Sequence, residues 1–149
     1  MSEVGEGPVT PITPPISGVL ETGLYVDDIS RARAFYEGVL GLKPMVADDR
    51  FCAYAAGPGS VLLLFRRGAT REPVRMAEGV IPPHDGAGPL HYALAIPAES
   101  LAHWREHLAL HGVAVESRVD WKGGGVSLYF RDPDDHLVEL ATPGLWPNY

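Results

Sequence analysis

Three side chains in this sequence have the chemistry to hold a divalent metal ion, and a repeat places two of them in register. Glu21 stands in Gly18-Val-Leu-Glu-Thr-Gly-Leu-Tyr-Val26, and His91 holds the same place in Gly88-Pro-Leu-His-Tyr-Ala-Leu-Ala-Ile96, about seventy residues later. The third, Glu139, closes the second copy. Side chains alternate across a strand, so Glu21, Gly23 and Tyr25 share one face, as do His91, Ala93 and Ala95, and again Leu137, Glu139 and Ala141. The opposite faces, with Leu24 and Val26, Leu94 and Ile96, and Val138 and Leu140, are apolar and belong under a helix. A charged group in mid-strand requires a partner. A divalent cation supplies one to two carboxylates and an imidazole at once, and these donors suit Mn, Fe, Co, Ni or Zn. Aligning Ser60-Val-Leu-Leu-Leu64 with His136-Leu-Val-Glu-Leu140 puts Leu63 where Glu139 stands. Only three protein ligands are therefore expected, with open coordination positions of the kind a catalytic ion keeps.

The elements that must position these residues follow from the same repeat. In the first copy a β-favouring run ends at Val26, and Asp27-Asp28 supplies an N-cap. The helix that follows carries Ala32, Phe35, Tyr36 and Val39 on one face and stops at Gly41. Three short strands are expected near 43–47, 50–56 and 60–66. The second copy runs from a strand at 89–96 through a helix with Leu101, Trp104 and Leu108 on one stripe, ending at Gly112. Its strands are expected near 113–118, 126–131 and 136–142, turning at Gly123-Gly-Gly125 and Asp132-Pro-Asp-Asp135. The reading is an α+β fold of two βαβββ modules, 18–67 and 88–143, joined by a connector at 68–87 without clear periodicity that could cover a site. The modules are expected to pair through the faces turned away from their helices. Residues 1–17, with Pro8, Pro11, Pro14 and Pro15, read as a mobile arm, and 144–149 as a tail.

At 149 residues the chain has the length of one domain. Its net charge of -7 lacks the basic face that phosphate binding needs, so nucleic acid is excluded as a partner. No apolar run is long enough to cross a membrane, and the start has no signal-peptide pattern, so a cytoplasmic location is expected. The lone Cys52 reads as a small core residue. No Ser-His-Asp triad, phosphate-binding glycine loop or dinucleotide fingerprint is present.

The segments Glu21-Thr-Gly-Leu-Tyr-Val-Asp-Asp28, Ala34-Phe-Tyr-Glu-Gly-Val-Leu-Gly-Leu42 and Ser127-Leu-Tyr-Phe-Arg-Asp-Pro-Asp-Asp-His-Leu-Val-Glu-Leu140 resemble the vicinal oxygen chelate superfamily. That superfamily comprises glyoxalase I, bleomycin-resistance proteins, fosfomycin-resistance enzymes and extradiol dioxygenases. The resemblance implies that the paired modules form a concave, partly open barrel, that the ligand positions are Glu21, His91 and Glu139, and that the protein is a homodimer. It implies a metal-dependent enzyme that polarises oxygens of a small-molecule substrate, by lyase, isomerase, epoxide-opening or dioxygenase chemistry. The alternative it offers is a drug-binding protein without catalysis. Glu21 departs from the family, where histidine is commonest at that place.

Tyr129 shares the inward face with Ser127 and Arg131, and the resemblance places it beside the metal, where a phenol donates to a bound oxygen. Arg118, Trp121 and Lys122 read as an exposed hairpin tip. His103, His107 and His111 are spaced to share a helix face, where two could bind a metal. His84 could serve as acid or base if the connector folds over the cavity. His136, in the turn before the last strand, reads as a hydrogen-bonding residue.

Overall fold

The same punctuation recurs in each half, and each half folds into the same unit. In the computed structural model, which describes residues 5, 7 and 12–149, β1 (Glu21–Val26) leads through Asp27-Asp28 into α1 (Ile29–Gly38). Asp28 Oδ1 accepts the Arg31 backbone N–H at 3.1 Å, satisfying one of the donors a helix start leaves free. Ile29, Ala32, Phe35 and Tyr36 form the buried stripe of α1. Gly41, with φ of 67°, turns the chain back towards β2 (Lys43–Ala47), β3 (Phe51–Ala55) and β4 (Val61–Arg66). The sheet order is β1-β4-β3-β2, with β1 and β4 parallel and the other pairs antiparallel.

The connector holds a small hairpin, β5 (Val74–Met76) with β6 (Gly79–Ile81), where the sequence suggested no regular structure. Strands of three residues are too short to display an alternation. The second module then repeats the first. It comprises β7 (His91–Ala95), a 3₁₀ turn at Ala98–Ser100, α2 (Leu101–Leu110), β8 (Ser117–Asp120), β9 (Val126–Arg131) and β10 (Leu137–Ala141), ordered β7-β10-β9-β8. Pairing matches residue for residue: Glu21 faces Val61 and Gly23 faces Leu63, while His91 faces Leu137 and Ala93 faces Glu139. Leu63 and Glu139 are thus equivalent positions of the two sheets.

The modules do not pair through the faces turned away from their helices. One core joins them, with Leu24, Tyr36, Leu62 and Leu64 from the first and Tyr92, Phe130, Val138 and Leu140 from the second. The reason lies in α1, whose two adjacent aromatics reach past their own sheet. Phe35 stands 6.3 Å from Phe130 and Tyr36 6.4 Å from Tyr92, ring centre to ring centre. The Tyr36 hydroxyl donates to Asp132 Oδ2 at 2.7 Å, and His107 Nε2 donates to the Val39 carbonyl at 2.7 Å. With the helix-side faces sharing this core, each sheet turns its other face outward, that of the first module being partly covered by the connector at Tyr25. The result is a partly open, concave arrangement and no closed barrel.

Of the arm expected at 1–17, residues 1–4, 6 and 8–11 lie outside the described residues, and 12–20 are exposed and without regular structure. The C-terminal segment is fastened: Tyr149 Oη donates to the Ala141 carbonyl at 2.7 Å. The Gly123–Gly125 turn accepts the Gly144 backbone so closely that a Cβ on Gly125 would lie 2.8 Å from the Gly144 carbonyl carbon. No described helix is long and apolar enough to cross a membrane.

Candidate metal centre

Two of the three expected ligands meet on the open face of the second sheet. His91 leaves β7 and Glu139 leaves β10, and His91 Nε2 lies 3.3 Å from Glu139 Oε1. The Glu139 side chain is 6% exposed and that of His91 50%, so a buried carboxylate sits below an accessible imidazole. Hydrogen bonding fixes the imidazole. Its Nδ1 lies 2.9 Å from the Leu137 carbonyl, which only accepts, so Nδ1 carries the proton. In the neutral ring Nε2 then presents a lone pair to Glu139 Oε1. Two acceptors aimed at each other repel unless a proton or a cation stands with them. Two donor atoms on one ion at about 2.0–2.2 Å stand about 3.0–3.4 Å apart, so the pair fits a shared divalent ion. A histidine whose other nitrogen donates to a backbone carbonyl is the usual form of an oriented metal ligand.

The rest of this face supports the carboxylate. Ser127 Oγ donates to Glu139 Oε2 at 2.5 Å, and since that uses its only proton, the oxygen accepts from Trp121 Nε1 at 2.8 Å. Tyr129 lies directly across from Glu139 on β9, with its ring centre 6.3 Å from that of His91. Burial, and then the negative charge of Glu139, push the Tyr129 phenol above the ordinary tyrosine range, which keeps it a hydrogen-bond donor.

Glu21 stands on the first sheet and lines a different hollow of about 320 Å³, together with Arg50, Phe51, Leu63, Phe65 and His84. Leu63 shares this hollow with Glu21, as the repeat requires. Phe51 and Phe65 stack with ring centres 5.4 Å apart and form an aromatic wall. Among the described residues, no group of three or more His, Cys, Asp or Glu stands close enough to hold a metal ion. A single chain therefore brings His91 and Glu139 together and leaves Glu21 on the open face of its own module.

The helix histidines His107 and His111, the hairpin arginines and His136 fall into structural roles. His107 is tied to Val39, and His111 Nδ1 donates to the His107 carbonyl at 2.9 Å, so these two serve the backbone, while His103 is exposed. Arg118 pairs with Asp120 at 3.0 Å and Arg131 with Glu116 at 2.8 Å. His136 is fully buried: its Nδ1 accepts the Leu90 N–H at 2.8 Å and its Nε2 donates to the Tyr25 carbonyl at 2.6 Å, bridging the modules. Sequence reasoning missed Trp121, read as an exposed tip. The available signal was Ser127, on the inward face with Glu139, placed six residues beyond an indole across a glycine turn.

The description Glyoxalase/Bleomycin resistance protein/Dioxygenase superfamily belongs to the family model that matches residues 18–140. Among solved structures, lactoylglutathione lyase from Agrobacterium tumefaciens is 29% identical, with 90% of this chain and 99% of that one covered and a TM-score of 0.80. A protein from the mobile metagenome of V. pseudocholerae is 26% identical, covering 89% of this chain and 98% of that one at a TM-score of 0.69. A genomically encoded fosfomycin resistance protein from Listeria monocytogenes shares the fold at 21% identity, 88% and 97% coverage and a TM-score of 0.62. From the repeated βαβββ modules, the open sheets and a family match that spans both, the chain belongs to the glyoxalase/bleomycin resistance protein/dioxygenase superfamily.

Proposed function

We propose that this chain is a metal-dependent enzyme acting on a small molecule, with His91 and Glu139 as ligands from one module and Glu21 as the third. The observation that carries the reading is the facing pair of acceptors, His91 Nε2 and Glu139 Oε1 at 3.3 Å, with the imidazole already oriented by Leu137. A homodimer completes the centre: the open face of one copy's first module meets the open face of the other copy's second, bringing Glu21 to His91 and Glu139. The sheet faces left outside the helix-side core, with Glu21 exposed on the first, support this arrangement. A divalent ion among Mn, Fe, Ni, Co and Zn supplies Lewis acidity towards substrate oxygens. Tyr129, held protonated, donates to a substrate oxygen, and Leu63 shapes the space that a fourth ligand would fill.

The likeness to a lactoylglutathione lyase makes a glutathione thiol adduct the first substrate to test, ahead of epoxides and catechols. The supporting experiment is metal analysis of the purified protein after reconstitution with each ion, with light scattering to give the mass. Metal bound per chain and a dimer mass support the reading. Failure to bind any ion, with a monomer mass, would leave the second reading, a ligand-binding protein of the bleomycin-resistance type. The aromatic wall of Phe51 and Phe65 in the first module favours that one. The reading places the protein in the cytoplasm.

A further inference from the structure

The connector reaches back over the first module and is held there by one side chain of β1. Tyr25 shares the strand face of Glu21, yet it is 5% exposed because the connector covers it. Gly86 lies so close that a Cβ there would meet Tyr25 Cδ2 at 2.4 Å, so only glycine lets the backbone pass. The Tyr25 hydroxyl lies 2.8 Å from Thr70 Oγ1 and 2.6 Å from His84 Nδ1. Thr70 Oγ1 is 2.5 Å from the His84 carbonyl, and the Thr70 carbonyl accepts the His84 N–H at 3.0 Å.

Counting protons fixes the direction of each bond. A carbonyl only accepts, so the single hydroxyl proton of Thr70 goes to the His84 carbonyl. Thr70 Oγ1 must then accept from Tyr25, and the Tyr25 oxygen, its own proton used, must accept from His84 Nδ1–H. The neutral ring therefore carries its proton on Nδ1 and a lone pair on Nε2, which has no partner among the described residues. Phe65 meets the ring edge-on, with centres 5.0 Å apart. His84 lines the same hollow as Glu21 and Leu63.

We infer that His84 is the proton acceptor of this hollow, with Tyr25 and Thr70 as the positioning residues that keep its Nε2 lone pair available to a bound molecule. The inference rests on the proposed function in taking this hollow as part of the substrate site. In the reaction step, an acidic X–H bond of the substrate breaks, its electron pair stays on X, and the proton moves to Nε2. The imidazolium so formed keeps its Nδ1–H on the Tyr25 oxygen, and the Tyr25–Thr70 bonds need no rearrangement.

The test uses the full chain without metal, so that its outcome is separable from that of the metal-enzyme reading. Nitrogen NMR of the labelled protein reports which ring nitrogen of His84 is protonated, the resonance being assigned by its loss in His84→Gln. Protonated Nδ1 and bare Nε2 are expected for the neutral ring, with mixed tautomers in Tyr25→Phe. Phenol is then added as a flat hydroxyl donor and toluene as its counterpart without a hydroxyl. Phenol should move the His84 Nε2 resonance and toluene should not, and His84→Gln should weaken phenol about three- to tenfold, the worth of one neutral hydrogen bond. A neutral His84 protonated on Nε2, an unaltered tautomer in Tyr25→Phe, or equal responses to phenol and toluene would each overturn the inference.

Discussion

Replacing His136 with leucine should cost more stability than any change at the metal ligands, because that ring joins the two modules. The side chain is fully buried, and leucine fills much of its volume while removing both ring nitrogens. The Leu90 N–H loses its acceptor and the Tyr25 carbonyl loses its donor, from bonds of 2.8 and 2.6 Å. Each orphaned buried group costs about 1–3 kcal/mol, so the two together cost about 2–6 kcal/mol before the gain from added apolar surface. That is a large part of the 5–15 kcal/mol that about this size of domain has in hand, at roughly 0.05–0.15 kcal/mol per residue. Urea unfolding followed by circular dichroism measures it. The midpoint should fall by about 1–3 M at an unchanged slope near 2 kcal/mol/M, within the roughly 1–3 range of small proteins. His136→Gln, which keeps a donor and an acceptor, should lie between. A loss below about 0.5 kcal/mol, the scatter of surface substitutions, would refute the bridging role.

Ser127→Ala removes the hydroxyl that donates to Glu139 and leaves the Trp121 indole without its acceptor, so it should cost about 1.5–3 kcal/mol in urea unfolding; a neutral effect would mean that Glu139 is held by other contacts. Tyr129 should ionise above the ordinary tyrosine range in an ultraviolet titration, chiefly from burial and secondarily from the charge of Glu139, and Glu139→Gln should lower its ionisation part of the way. Identical titrations in the two proteins would remove Glu139 as a cause. Glu37 is held below the ordinary carboxylate range chiefly by its hydrogen bond from Arg33 at 2.6 Å, with Tyr54 adding to it. Its contribution is thus present above the carboxyl value of the unfolded chain and is lost as pH falls through the lower folded value, so Glu37→Gln should flatten the acid limb of stability against pH; superimposable acid limbs would contradict this. Leu63→Glu should raise metal affinity by adding a carboxylate at the position equivalent to Glu139, which titration calorimetry reads directly, and unchanged affinity would count against a centre shared with Glu21.

The repeat made the architecture legible, because Glu21 and His91 mark the same strand position and the pairing of Gly23 with Leu63 and Ala93 with Glu139 follows from it. The helix caps were equally readable: Asp28 is a side-chain acceptor with a free N–H beside it, and Gly41 and Gly112 take up positive φ. What alternation cannot state is which sheet faces meet. Phe35 and Tyr36 look like ordinary core positions of α1, and only their reach to Phe130 and Tyr92 decides that the helix-side faces join. For the same reason Tyr25 was legible as facing with Glu21 but not as the anchor of the connector, since Thr70, His84 and Gly86 meet it through a loop that has no period. The pair His91 and Glu139 was recoverable from register alone, whereas its support by Ser127 and Trp121 depends on how a glycine turn folds.

Whether Glu139, His91 and Glu21 hold one ion is decided by metal-dependent melting of the wild type beside Glu139→Gln and Glu21→Gln. An ion at a hundred times its dissociation constant stabilises the folded state by about 2.7 kcal/mol. In a chain of this length that raises the melting temperature by roughly 5–10 °C. Such a rise is expected for at least one of Mn, Fe, Co, Ni and Zn in the wild type, and little or none in either variant. A wild type that melts alike with and without every ion, or variants that respond as fully as the wild type, would contradict it.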